Sequence, residues 1–332
     1  MMGRLMLVIA LLVALAEPAA AGTLDDIKSR GSLTCGVNGE LPGFSVANGG
    51  QWMGFNVDYC RAYAAAIFGD PDKVKFVSLT AKDRFDALRS GAIDVLVGNT
   101  TWSPAAESQF GLLATEVNYY DGQGFLVHKA IKINSADQLN TKSICVQQAT
   151  TSESNLIGYF GPKQEIMGFV DRDDALKAYA AGKCDAFTAD ASTLYGARLK
   201  LRAVDDHVIL SDLISRELLS PYVRKGDDQW FNIVRWTHFA LLNAEILAVT
   251  QLNVDRQLEV GNGEIKQLLG GENNSGEQMG LTKDWAYRII KRVGNYAEIF
   301  DQNLGRGSPL QIRRGLNALW NAGGVQYAPA FR

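Results

Sequence analysis

A polar stretch with the residue types that bind small charged ligands follows an apolar segment in the first third of the chain. Asn99, Thr100 and Thr101 supply an amide and two hydroxyl groups directly after the run at 92–97. That short, nearly continuous apolar run is typical of a parallel strand buried on both faces. Pro104 suits the first turn of a helix. The stretch therefore predicts a loop at the carboxyl end of a strand, suited to binding a small polar ligand.

Three more loops carry polar or acidic side chains at corresponding places. Asn38 and Glu40 follow the first predicted strand, Thr151 lies in the loop QATTSE, and Asp190 ends the string TAD. In open α/β sheets, ligands bind beyond the carboxyl ends of the strands, where the strand order reverses. We therefore expect these side chains to face the polar stretch at 99–101 across one cleft.

The elements that must position these loops alternate between strand and helix, which predicts an α/β fold with mostly parallel sheets. The pattern occurs twice, so we expect two lobes, each a sheet flanked by helices, joined by two extended hinge crossings and followed by long helices. Strands are predicted at 33–37, 74–79, 92–97, 143–147, 164–169 and 184–189, helices at 54–69, 82–90, 150–160, 173–181, 228–252 and 283–304, and crossings at 117–125 and 218–223.

The lobe boundaries follow from the two crossings. We assign 22–122 together with 224–332 to lobe 1, and 123–223 to lobe 2. Residues 1–21 form a predicted signal peptide, with Arg4 before an apolar run and Ala19–Ala21 as a small-residue cleavage site. The apolar run is too short to cross a bilayer, which takes about 20 residues. A protein exported to the periplasm and cleaved after Ala21 is expected.

Net charge and cysteine spacing bear on three further questions: nucleic-acid binding, metal binding and disulfide formation. The formal net charge is −3, which implies no nucleic-acid partner. The four cysteines contain no Cys-x-x-Cys pair and the histidines are scattered singly, so a metal site is disfavoured. Export makes disulfides available, and four cysteines allow three pairings. We favour the local pairing, Cys35 with Cys60 and Cys145 with Cys184, which links elements within each lobe.

Long strings such as NTTW (99–102) and NYYDGQGF (118–125) occur along the chain. They resemble the periplasmic solute-binding proteins of amino-acid ABC transporters, and specifically the general L-amino-acid-binding branch. The resemblance covers essentially the whole mature chain. It implies a type II clamshell fold that closes on a ligand, delivery of that ligand to an inner-membrane permease, no cofactor, and a monomer not inserted in the membrane. The strings are GTLDDIKSRG (22–31), NTTW (99–102), NYYDGQGF (118–125), GDDQWFNIVRW (226–236), and DWAYRIIKRVGNY, GSPL and GLNALW near the end.

The resemblance also implies roles for individual residues. In that family an arginine at the start of the helix after the threonine loop binds the ligand's α-carboxylate, and its place here is taken by Ala106. Thr101 and Thr151 match the hydroxyl donors, and Asp190 matches the residue that binds the α-ammonium. Further departures from the family pattern lie around the same cleft, at Gly98, Ala149, Asn56, Ser220 and Tyr222, and in the added acid Glu40.

These departures predict an unusual ligand. Burying a carboxylate without its basic partner costs on the order of 3 to 5 kcal/mol, so an amine, an amide or a cationic derivative should bind better than an ordinary amino acid. The alternative is that Arg84 or Arg89 supplies the missing charge. We expect both to be solvated or packed along their stems, because they lie on the preceding helix.

Other readings of the same residues stay open. Trp102 either stacks on the ligand or covers the core beneath the loop, and Asp190 is also placed to cap the helix that begins at Ala191. A cyclohexadienyl-dehydratase-like enzyme and a sensory binding protein that no longer transports are the alternative functions. An enzyme is disfavoured, because Glu40, Glu107 and Asp190 supply acids but no carboxylate-binding group accompanies them.

Overall fold

The computed structural model of the protein describes residues 22–271 and 274–331, so the predicted signal peptide lies outside the described residues. The first part of the chain alternates strands and helices, as the sequence predicts. Its elements are α1 (Thr23–Arg30), β1 (Leu33–Val37), β2 (Glu40–Leu41), β3 (Ser45–Asn48), β4 (Gln51–Met53), α2 (Phe55–Phe68), β5 (Val74–Ser78), α3 (Arg84–Arg89), β6 (Val95–Leu96), α4 (Pro104–Phe110) and β7 (Leu112–Ala114).

Two extended segments lead into and out of the second part. The first is β8 (Tyr119–Asp121) and the second is β14 (Glu217–Leu219), and they pair antiparallel with Glu217 opposite Asp121. Between them the alternation of strand and helix repeats. The elements are β9 (Gln123–His128), β10 (Ile144–Gln147), α5 (Thr151–Phe160), β11 (Ile166–Phe169), α6 (Arg172–Ala180), β12 (Ala186–Asp190), α7 (Ala191–Leu199) and β13 (His207–Ile209).

The remainder of the chain returns to the first part and is mainly helical. It comprises β15 (Tyr222–Arg224), α8 (Asp228–Ile246), α9 (Val254–Val260), α10 (Gly263–Leu268), α11 (Ser275–Gln278), α12 (Trp285–Val293) and α13 (Tyr296–Asn303). Short 3₁₀ turns lie at Lys129–Ile131, Ala136–Leu139, Val204–Asp206, Gly315–Asn317 and Trp320–Ala322.

The strands form two five-stranded sheets, in the orders β5-β1-β6-β15-β7 and β11-β10-β12-β9-β13. We call the part built on the first sheet lobe 1 and the part built on the second sheet lobe 2. In each sheet four strands run the same way and one is antiparallel, β15 in lobe 1 and β9 in lobe 2. The predicted α/β class with two mostly parallel sheets is confirmed.

The largest apolar core lies in lobe 1. It packs α2 against β1 on one side and against α8, α12 and α13 on the other, with Trp230, Trp285 and Tyr59 among its fully buried side chains. Along α8, Trp230 is fully buried, whereas Phe231 and Trp236 are partly buried and pack against this core. Helix α2 begins after Gly54, which has φ 129°. A Cβ atom there would lie 2.3 Å from the Phe44 carbonyl group, so only glycine fits.

Several predicted elements differ from the structure. Helix α8 ends at Ile246 rather than at 252. The helix predicted at 283–304 is two helices, because Gly294 has φ 100° and Asn295 with Glu298 forms a capping box that begins α13. The predicted loop at 38–44 contains β2, which forms a small antiparallel sheet with β3 and β4.

One lobe boundary also differs. Tyr222 and Val223 were assigned to lobe 2, whereas they lie in β15, which pairs with β6 and β7 in the first sheet.

Both predicted disulfides are confirmed. Cys35 in β1 bonds to Cys60 in α2, with Cα atoms 6.1 Å apart, and Cys145 in β10 bonds to Cys184, with Cα atoms 5.7 Å apart. Each disulfide therefore links two elements of one lobe. None of the helices within 22–271 and 274–331 is long and apolar enough to cross a membrane.

Candidate ligand-binding site

A cavity of about 180 Å³ lies between the two lobes, at the carboxyl ends of the strands. Both lobes contribute polar and charged side chains to its wall. The structure brings together six of the predicted site residues there: Asn38, Glu40, Asn99, Thr101, Thr151 and Asp190.

Three other predicted site residues lie outside this wall. Thr100 is buried, and its Oγ1 has no hydrogen-bond partner among the described residues. Trp102 is 44% exposed and donates through Nε1 to Glu107, so it neither stacks in the cavity nor covers the core. Ala106 is buried in an apolar cluster of lobe 1 rather than at the cleft surface.

Tyr222 packs into the apolar cluster that contains Ala106. Its ring belongs to the same buried cluster as Ala106, with Phe85 at a centroid distance of 5.9 Å. Its hydroxyl group donates to the carbonyl oxygen of Thr101 over 2.8 Å and accepts from the amide of Ser103 over 3.2 Å. The tyrosine thus fills this position and fixes the backbone of the polar loop.

Arg84, the first residue of α3, lines the cavity, so the expectation that it is solvated or packed along its stem is wrong. Its Nε is buried and has no hydrogen-bond partner among the described residues. Burial lowers the pKa of the guanidinium group, although an arginine stays charged at neutral pH. Arg89, on the same helix, instead forms an exposed ion pair with Asp86.

Arg172 also lines the cavity, from lobe 2, and the sequence analysis missed it. It is the first residue of α6, after the N-cap Asp171, and burial lowers the pKa of its guanidinium group. A signal was available: cations are unfavourable in the first turn of a helix. A basic residue in this position, after a strand that points at the cleft, therefore indicates a functional role.

Asp190 ends β12 between these groups. It occupies the N-cap position of α7, but its carboxylate accepts no hydrogen bond from the helix, so the capping alternative is not realised. Burial raises the pKa of Asp190 well above its usual value, and the nearby carboxyl groups of Asp121 and Glu217 raise it further. Arg84 and Arg172 act in the opposite direction. A further positive group beside Asp190, such as a ligand ammonium group, would favour its charged form.

Two amides in lobe 1 have unused hydrogen-bonding groups near the cavity. Asn56 donates through Nδ2 to Oδ1 of Asn99 over 2.6 Å. Nδ2 of Asn99 and Oδ1 of Asn38 are buried and have no partner among the described residues. Because Asn56 supplies a donor where the family usually has an aspartate, Asn99 keeps its own N–H groups for another acceptor.

The lobes are in contact beside the cavity. Glu217, on the crossing strand β14, accepts hydrogen bonds from Thr101 of lobe 1 over 2.5 Å and from Thr151 of lobe 2 over 3.0 Å. It also accepts from Asn155 and Ser215. The two threonine Oγ1 atoms are 3.5 Å apart. Lys200 of lobe 2 reaches the carbonyl oxygen of Glu40 in lobe 1. The structure therefore shows a closed cleft.

Most side chains of the cleft are polar groups from both lobes. Within the part of the chain that the structure describes, no three His, Cys, Asp or Glu side chains are grouped to hold a metal ion. The cleft is lined by acidic and basic side chains, hydroxyl groups and amides. The two lobes that form it are connected by the paired crossing strands β8 and β14. This is the architecture of a two-lobed ligand-binding protein.

The family follows from a direct comparison. Residues 33–247 match the family described as bacterial extracellular solute-binding proteins, family 3, and the chain belongs to that family. The fold is that of the type II periplasmic binding proteins, as expected from the sequence.

Three relatives cover nearly the whole chain. The general L-amino acid-binding periplasmic protein AapJ of Rhizobium johnstonii is 50% identical to this chain, and the match covers 96% of this chain and 95% of AapJ. The glutamate/glutamine/aspartate/asparagine-binding protein BztA of Rhodobacter capsulatus is 44% identical over 98% of this chain and 97% of its own. A periplasmic binding protein from Brucella ovis, solved with glutathione bound, is 53% identical with a TM-score of 0.91, and covers 94% of this chain and 100% of its own.

Proposed function

We propose that this protein is the periplasmic ligand-binding component of an ABC importer and that its ligand is an amino acid or an amino-acid derivative. Family membership supports the class of protein. The cavity charges support the class of ligand. Asp190 is suited to bind an ammonium group, and the arginines in the wall are suited to bind an anionic group of the same molecule.

The observation that carries this proposal is the presence of both signs of charge in one closed cavity. It changes the expectation drawn from Ala106. A purely cationic ligand would pair with Asp190 but would leave both guanidinium groups without an anionic partner, so zwitterions and acids become more favourable than amines and cationic derivatives. An amide-linked derivative still fits. Glutathione, found in the Brucella ovis relative, is such a compound, because its γ-glutamyl group is an amino acid joined through an amide.

The remaining features of this proposal concern location and partners. We propose cleavage after Ala21, export to the periplasm, action as a monomer, and lobes comprising 22–122 with 224–332 and 123–223, apart from the two residues of β15 noted above. We propose no reaction, because AapJ and BztA are named as binding proteins. A sensory protein without transport would bind the same ligand, and co-purification of a permease with the tagged protein separates the two roles.

Isothermal titration calorimetry of the purified mature protein tests the proposal. The panel is the common L-amino acids, their decarboxylated and amidated analogues, and glutathione. We expect tight binding of at least one compound that has both an ammonium group and a carboxylate, and weak binding of the amines. Preferential binding of the decarboxylated amines, or no binding of any panel member, would contradict it.

A further inference from the structure

We infer that Arg84 and Arg172 each bind one carboxylate of the same ligand, and that the preferred ligand therefore carries two carboxylates and one ammonium group. This inference rests on the proposed function and names its substrate class. It makes Arg84, on lobe 1, the residue that supplies the charge missing at Ala106. The ligand class includes acidic amino acids and γ-glutamyl peptides.

The first step is that both guanidinium groups lack an ion-pair partner. Neither lies within 4.0 Å of a carboxylate oxygen of any residue in 22–271 or 274–331, although both line the cavity. The buried Nε of Arg84 has no hydrogen-bond partner within the same ranges. A buried cation is expected to be paired, so an anion from outside the chain fits both positions.

The acids nearest to Arg172 are already engaged. Asp171 accepts from the amides of Asp173 and Asp174 at the start of α6. Asp173 binds Lys200 over 2.7 Å. Glu40 is exposed and approaches from the other lobe. The positive charge of Arg172 is therefore available to a ligand.

Asp190 is the one cavity acid that acts electrostatically on both arginines. It forms no hydrogen bond with the first turn of α7. A single carboxylate does not satisfy two guanidinium groups on opposite lobes. A ligand ammonium group at Asp190, with one carboxylate at each arginine, pairs Asp190 and both guanidinium groups.

Beside Arg84, lobe 1 has a second hydrogen-bond donor for a ligand carboxylate, the side-chain amide of Asn99. Nδ2 of Asn99 is buried beside the same cavity without a partner in the described chain, because Asn56 donates to the other end of that amide. Gly98 and Arg84 also line one small cavity, of about 10 Å³. Arg84 therefore brings a cation from α3 to the loop that begins at Gly98.

The test uses ligands that differ by one charge. L-Glutamate is compared with L-glutamine, in which the side-chain carboxylate is an amide, and with L-isoglutamine, in which the α-carboxylate is an amide. Glutathione is compared with its glycine ethyl ester in the same way. Affinities are measured by calorimetry for the native protein, Arg84→Gln and Arg172→Gln. Arg89→Gln and Lys177→Gln are the matched controls, because each removes an exposed cation from the same helix.

We expect the native protein to prefer the dicarboxylate over each blocked form by roughly 10- to 100-fold. Arg84→Gln should lose the preference against one blocked form and keep it against the other, and Arg172→Gln should show the reverse. The controls should change affinity by less than about twofold. This pattern tests carboxylate pairing, since a merely structural role would lower affinity for all ligands alike.

Two results would overturn the inference. One is equal affinity of the native protein for a dicarboxylate and its blocked forms. The other is an equal loss for all ligands in both arginine variants. If a glutamine variant does not fold, as judged by thermal unfolding, the corresponding lysine variant is used: a reduced preference against one blocked form alone supports the pairing, and an equal loss for all ligands contradicts it. The proposed function fails separately, if the native protein binds no member of the amino-acid panel.

Discussion

The carboxyl group of Asp190 is buried and lies near two other acids, Asp121 and Glu217. We therefore expect ligand binding to depend on pH. Burial raises its pKa, as do Asp121 and Glu217, so in the ligand-free protein the carboxyl group stays protonated to a higher pH than usual. A ligand ammonium group would favour the charged form and lower that pKa. Binding is then coupled to release of a proton.

We expect the affinity for ammonium-bearing ligands to fall as the pH falls through the raised pKa of Asp190, and to level off above it. Calorimetry at several pH values, in pairs of buffers with different ionisation enthalpies, measures both the affinity and the proton released. Asp190→Asn is the control and should bind weakly with little pH dependence. Proton uptake on binding, or the same pH profile in Asp190→Asn, would contradict this account.

The packing of Tyr222 with Ala106 gives a second prediction. Ala106→Arg places a guanidinium group in an apolar cluster that Tyr222 already fills, so we expect a loss of unfolding free energy of about 2 to 5 kcal/mol. Tyr222→Ala opens space at the same position. In a double-mutant cycle monitored by denaturant unfolding, the two substitutions together should cost less than the sum of their separate costs. Additive costs would show that the two side chains do not compete for space.

The sequence predicted which loops line the cleft, but it did not predict that two arginine side chains lie there. Thr101, Thr151 and Asp190 were placed because each follows a strand, and strand ends determine position in an α/β fold. Arg84 and Arg172 were not placed in the cleft, because the direction of a long side chain depends on tertiary packing. The consequence of Tyr222 was equally out of reach: its hydroxyl contacts residues about 120 positions away in sequence, Thr101 and Ser103.

At the scale of elements, glycine and capping residues were the most reliable signals. Gly54 precedes α2 and Gly69 follows it, at the two ends of the predicted helix 54–69, and both glycines have positive φ. The same physics was missed at Gly294, where a positive φ and the Asn295 capping box divide one predicted helix into α12 and α13. The run at 92–97 was predicted as a full strand, yet only Val95–Leu96 has strand pairing. Burial of an apolar run does not by itself determine its hydrogen bonds.

The crossing strand β14 contains the strongest polar link between the lobes, and this leads to a third prediction. Glu217 is 2% exposed and accepts hydrogen bonds from side chains of both lobes. Glu217→Gln would place N–H groups against hydroxyl donors, so we expect the closed form to be less populated and ligand dissociation to be faster. Stopped-flow fluorescence measures the dissociation rate. Glu107→Gln, which alters only the pair with Trp102, serves as the control.

If Glu217→Gln leaves the dissociation rate as in the native protein, the carboxylate contributes nothing to closure. Equal acceleration in Glu107→Gln would attribute the change to the loop at 99–106 rather than to β14. Thermal unfolding of both variants separates a local loosening of the hinge from a loss of overall stability.

For the whole molecule, the fourth prediction concerns closure. The cleft is closed by contacts between the lobes, including Thr101 with Thr151 and Lys200 with Glu40. In a two-lobed receptor the ligand-free form is expected to open about the crossing strands. Small-angle scattering should therefore show a smaller radius of gyration at saturating ligand than without ligand. The same profile in both conditions would exclude a hinge motion as the means of capture.

The position of β15 has a consequence for the order in which the chain folds. The second sheet is made from one continuous stretch, 123–209, so no strand from outside that stretch is needed to complete it. The first sheet is completed only when Tyr222–Arg224 inserts between β6 and β7, more than a hundred residues after those strands were made. Closing so long a loop is slow relative to local pairing. Lobe 2 is therefore able to form first, while lobe 1 stays incomplete until Tyr222–Arg224 has inserted between β6 and β7.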